Sequence, residues 1–126
     1  MEPILNNDMV QEMKNYTVQL NDENVRPVIE LVIDGEVVGR VVLSSLGTGA
    51  YYIEEAEIDK EYRGKGFYTV MLIACFQIAG AEMLVSNNRN ADSNGAYEHW
   101  TGQELSYDQE VTIGLYGDSL GFDVSE

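Results

Sequence analysis

The chain has 126 residues and a formal charge of −15, with 22 acidic side chains against seven Lys and Arg. That length suits one domain spanning 1–126 rather than two, since ordinary domains run to about 100–200 residues. Strong acidity argues against nucleic acid as a substrate, because phosphate contacts dominate such affinity, and no apolar run approaches the roughly 18 residues of a membrane span.

The opening "MEPILNND" has no basic region followed by an apolar stretch, so a cytoplasmic protein is expected. Met9, Val10 and Met13 are spaced for a short amphipathic helix, and "YTVQL" for a strand. From Val28, "VIELVIDGEVVGRVVLS" reads as two β-rich runs around Asp34-Gly35, a dipeptide suited to the positive φ angles of a tight hairpin. The loose loop "SLGTGA" leads to a further strand, "YYIEEAEI", Tyr51 to Ile58, which completes an antiparallel meander with the hairpin.

Beyond Gly66 the period changes. Met71, Leu72, Cys75, Phe76 and Ala79 recur at helical spacing, and Gly80 ends the run. The single Cys75 lies inside this apolar stretch and is expected as a buried, reduced thiol. "EMLVSN" is the next strand. "NADSNGAYEHW" is a second helix capped by Asn90 or Asp92, and "ELSYDQEVTIGLYG" holds one or two more strands. The order meander, helix, strand, helix, strands predicts an α/β (α+β) domain without internal repeats.

The stretch "EYRGKGFY", Glu61 to Tyr68, is unusual for so acidic a chain, since Lys60, Arg63 and Lys65 cluster there with two glycines. A strand that enters a helix through such a loop exposes helix N–H groups with no partner of their own. Glycines permit close backbone approach, and the helix dipole favours an anion. Arg63 and Lys65 add mobile positive charge. The loop is therefore a candidate pyrophosphate site. It is neither a P-loop nor a dinucleotide fingerprint, because the glycine spacings and the Lys-Ser/Thr pair are missing. No His, Cys or Asp set has metal-ligand spacing, and Ser, His and Asp are too scattered for a triad.

The segment "YYIEEAEIDKEYRGKGFYTVML" resembles the strand, pyrophosphate loop and helix of the GNAT superfamily of acyl-CoA-dependent N-acyltransferases. Arg63 and Gly66 fill the first and fourth positions of its Arg-x-x-Gly-x-Gly/Ala loop, while Tyr68 stands where Gly or Ala is usual and would narrow the loop. "NADSNGAYEHW" matches the family's second motif through Asn90 and, seven residues on, Tyr97; "TGQEL" replaces the Gly-Phe that usually follows. The resemblance implies a mixed, mostly antiparallel central sheet flanked by helices. It implies acetyl-CoA as co-substrate, without a metal, held by Ile58, Arg63, Gly64, Lys65, Gly66, Phe67, Tyr68 and Asn90. Backbone N–H groups around Ala56 to Ile58 would hold the pantetheine arm on a strand that splays from its neighbour.

The chemistry such an enzyme performs needs a neutral amine, a stabilised tetrahedral intermediate and a proton for the leaving thiolate. By resemblance, Tyr97 is the general acid. Glu54, Glu55 and Glu57 share one strand; Glu54 is the candidate base, directly or through water, and a bulge implied by the resemblance would break the strand's alternation. His99 lies two residues beyond Tyr97 on a different helix face, a poor position for a base. After Arg89 eight acids follow with no Lys or Arg. On the resembled fold they would line the acceptor side and draw in a cationic primary amine, either a small molecule or a protein lysine. Direct nucleic-acid and membrane partners are not expected; the oligomeric state is open, a homodimer included. The competing reading is an acidic, non-catalytic protein of the same fold that mimics nucleic acid on a basic partner.

Overall fold

The computed structural model describes residues 16–22 and 25–125; the helix expected around Met9 to Met13 lies outside them. Strand β1 is Tyr16–Asn21, β2 Val28–Ile33, β3 Glu36–Gly47 and β4 Ala50–Ile58. A short 3-10 turn, Lys60–Tyr62, leads to helix α1, Phe67–Gln77. Then come β5, Met83–Ser86; helix α2, Ala91–Thr101; β6, Val111–Tyr116; and β7, Ser119–Val124.

The strands form one seven-stranded sheet in sequence order. Asp34 and Gly35 take φ of 52° and 82°, the positive pair that joins β2 to β3. β3 runs on through Gly47, so the supposed loose loop closes as a tight turn at Thr48 and Gly49. Only β4 and β5 pair in parallel, and such a pair needs a long crossover, which α1 supplies.

Register shows why the core sits on one face. Tyr16 pairs with Ile33 and Val18 with Leu31; Ile29 pairs with Val41, and Leu43 with Ile53. Tyr51, Leu84, Ile113 and Phe122 continue the row through β5 to β7. Both helices close this face: Phe67 of α1 meets Tyr16 edge-on at 5.3 Å between ring centroids, and Trp100 of α2 stacks on Phe122 at 5.0 Å. Met71 to Cys75 are consecutive and all buried, so α1 is enclosed on every side. α2 is capped at Asn90, whose side chain accepts from the Ser93 N–H while Ser93 Oγ accepts from the Asn90 N–H.

Candidate active site

A bulge opens the sheet. Leu43 pairs with Ile53 but the adjacent Val42 pairs with Glu55, which leaves Glu54 as the extra residue in β4. Alternation reverses there: Ile53 is buried before the bulge, whereas Ala56 and Ile58 turn inward after it, with Glu55 and Glu57 outward on Arg40 at 3.3 and 3.1 Å. β4 pairs with β5 only from Ala50 to Tyr52, so beyond the bulge the two strands part and leave a notch with free backbone groups on β4.

Two chambers meet at this notch. The larger, about 600 Å³, lies between Ala56 to Ile58, the glycine loop and the α2 face formed by Asn90, Ser93, Ala96 and Trp100. Gly64 and Gly66 take φ of 73° and 88°, and no side chain caps the start of α1. Its first N–H groups are therefore offered to a ligand, the arrangement that holds phosphates elsewhere. The smaller chamber, about 240 Å³, is the notch itself, with Ile53 to Glu57 on one side and Ser86 and Asn88 to Asn90 on the other. Glu54 borders it and accepts from Ser44 Oγ at 2.8 Å.

Ile58, Arg63, Gly64, Gly66, Phe67, Tyr68 and Asn90 all border the larger chamber; Lys65 borders neither. Arg63 is not the mobile cation expected. Its Nε donates to the Ile58 carbonyl at 2.8 Å and its NH1 to Asp92 at 2.9 Å, so it straps the loop to the end of β4 and the start of α2. Of the seven acids beyond Arg89 among the described residues, only Asp92 borders either chamber; the carboxylates of the notch come from β4 instead. His99, set aside on sequence grounds, lines the larger chamber.

Tyr97 borders neither chamber and is wholly buried beneath Tyr68, Trp100 and Phe122. Among the described residues its hydroxyl is the one buried side-chain oxygen or nitrogen that completes no well-formed hydrogen bond, although the Tyr68 and Ser86 side chains lie close enough to interact with it. A buried hydroxyl so weakly held is a costly group to keep unless it serves a purpose.

Arg89 escapes a sequence reading altogether. It is 6% exposed, and among the described residues no carboxylate pairs with it. Instead it donates to Asn94 Oδ1, to the Ser86 carbonyl and hydroxyl, and to the carbonyls of Ser106 and Gln109, all at 2.7–3.1 Å. Its guanidinium also lies 5.0 Å from the centroid of the Tyr97 ring. One side chain thus ties β5, α2 and the segment before β6 around Tyr97. No local pattern announces this, because its partners lie up to 20 residues away.

Burial raises the pKa of three groups in this region. It pushes the Cys75 thiol from 9.0 to about 12, and lifts both Tyr68 and Tyr97 above the usual 10.0. The folded protein keeps these protons after the unfolded chain has released them, so stability is full below about pH 9 and falls as pH rises beyond it. Urea midpoints should be level from about pH 7 to 8.5 and then drop steadily; midpoints unchanged up to pH 11 would contradict the burial of these groups.

The chain matches the profile of the Acetyltransferase (GNAT) family over residues 2–102. No curated protein matches it. Among solved structures it resembles a GNAT family acetyltransferase from Elizabethkingia anophelis with acetyl-CoA bound, at 12% identity and a TM-score of 0.54, covering 70% of this chain and 74% of that one. A protein of Bacillus anthracis str. Ames assigned as a streptothricin acetyltransferase, in complex with acetyl coenzyme A, is 16% identical over 80% of this chain and 72% of its own, with a TM-score of 0.48. The first likeness supports the fold: a mixed, mostly antiparallel sheet with two helices among the described residues.

Proposed function

The chain belongs to the acetyltransferase (GNAT) family and is an acyltransferase, and from that premise we propose that it carries an acetyl group from acetyl-CoA to a cationic primary amine. The observation that carries this reading is the uncapped N-terminus of α1 facing a chamber that adjoins the notch beside β4. The α1 N–H groups and the glycine loop take the pyrophosphate, while backbone N–H groups around Ala56 to Ile58, on the edge that β5 leaves, guide the pantetheine arm. Bound there, acetyl-CoA supplies an activated thioester. The reacting nitrogen, in its neutral form, attacks the thioester carbon, the carbon–sulfur bond breaks, and the thiolate takes the Tyr97 proton. Glu54, directly or through water, accepts the proton that the amine loses. The Glu54 carboxylate at the notch, which among the described residues pairs with no cation, favours a cationic acceptor, and the attraction fades over about 8 Å at physiological salt.

Calorimetry tests the cofactor. Acetyl-CoA should bind in one-to-one ratio, and Arg63→Ala with Lys65→Ala should weaken binding by about 10- to 100-fold, the range expected for one lost charge-assisted hydrogen bond. Absence of binding at millimolar acetyl-CoA would end the proposal. In an acetyl-CoA consumption screen, polyamines and lysine-rich peptides should outperform acidic amino acids, with KM rising as salt is added. Turnover of an anionic amine with a salt-independent KM would remove the cationic acceptor while leaving the acetyl transfer standing.

A further inference from the structure

We propose that Tyr68 selects the acyl donor: its ring closes the passage between the two chambers, so that only a slim arm ending in a small acyl group displaces it and reaches Tyr97. The inference rests on the acetyltransferase reading above and adds a specificity residue to it. Five residues border both chambers, namely Ala56, Glu57, Tyr68, Asn90 and Ser93, and Tyr68 is the single aromatic ring among them. Ala56 and Glu57 belong to β4, and Asn90 and Ser93 to the start of α2, so the Tyr68 ring stands with the β4 wall and the α2 wall where the two chambers adjoin. Behind it lies Tyr97, with no exposed surface.

Edge-on contacts hold the Tyr68 ring, at 6.1 Å from the Tyr97 ring and 5.4 Å from that of Trp100. Tyr68 is also the second residue of α1, next to the N–H groups offered to the pyrophosphate. A donor anchored at that helix end must therefore pass its arm directly over this ring. If the ring stands aside in only one molecule of ten, apparent affinity for the whole donor falls about tenfold, whereas a fragment that lacks the arm is unaffected. A bulkier acyl group demands a wider opening and is penalised further.

The test compares acetyl-CoA, butyryl-CoA and the armless fragment 3′-phospho-ADP on wild type, Tyr68→Ala, Tyr68→Leu and Tyr68→Phe. Tyr68→Leu retains an apolar filler between the helices should Tyr68→Ala unfold, and Tyr68→Phe retains the ring. Calorimetry should show Tyr68→Ala and Tyr68→Leu binding acetyl-CoA about tenfold tighter, with a larger gain for butyryl-CoA, no change for 3′-phospho-ADP and wild-type behaviour for Tyr68→Phe. Trp100, the chain's one tryptophan, touches the ring, so wild-type fluorescence should shift with acetyl-CoA but not with 3′-phospho-ADP. Equal shifts in fragment and donor affinity, or none in the folded variants, would overturn the role of Tyr68 while leaving acetyl transfer intact. Failure of every variant and of wild type to bind any of these probes would instead remove the acetyltransferase reading, and the selection with it.

Discussion

Tyr97→Phe should lower kcat by about 10²–10³-fold, the usual size of general-acid catalysis, while leaving acetyl-CoA affinity nearly unchanged. The substitution removes one oxygen and keeps a ring of the same shape against Tyr68, Trp100 and Phe122. Because that oxygen is buried with no well-formed hydrogen bond and only weak contacts to the Tyr68 and Ser86 side chains, its loss should move stability by less than about 1 kcal/mol. Activity then falls while stability barely changes, the sign of a group kept for chemistry. Burial also holds the Tyr97 pKa above 10.0, so the phenol stays protonated through neutral and mildly alkaline pH, as an acid must. Steady-state kinetics across pH with an accepted amine, alongside thermal melts, measure both effects. A variant as active as wild type would reduce Tyr97 to packing.

Arg89→Leu should destabilise the fold by at least about 3 kcal/mol, since it strips hydrogen bonds from buried carbonyls and the Asn94 side chain together. For a domain of this size each kcal/mol moves the melting temperature by a few degrees, so a fall on the order of 10 °C is expected. Arg89→Lys should recover little. An ammonium is a point charge with three donors, and it cannot span the end of β5, α2 and the carbonyls of Ser106 and Gln109 in one plane. If Arg89→Leu melted within about 2 °C of wild type, the guanidinium would not be the clamp its contacts describe.

Much of the architecture was legible because it is written in short-range chemistry. Asp34-Gly35 demands positive φ wherever it falls, and Asn90 followed by Ser93 satisfies helix N–H groups from within four residues. Apolar spacing at Met71, Leu72 and Cys75 separated helix from strand by period alone. The glycine loop was equally readable, since Gly64 and Gly66 take the backbone angles that their missing Cβ permits. All of these follow from the chain and its nearest neighbours.

Tertiary structure alone decided the rest, because it depends on which distant residues come to lie opposite. The bulge at Glu54 exists only as a mismatch of register between β3 and β4, and nothing within β4 itself marks it. That mismatch parts β4 from β5 and makes the notch. Arg63 and Arg89 carry the same guanidinium, yet Asp92 and the Ile58 carbonyl hold one at the surface while a ring of carbonyls encloses the other. Two tyrosines 29 positions apart meet across the helix pair, and packing places Tyr68 at the chamber wall and Tyr97 beneath it. Residue type and spacing thus determined most of the elements and the glycine loop, whereas burial, register and order of access emerged only once the sheet and both helices had closed on one core.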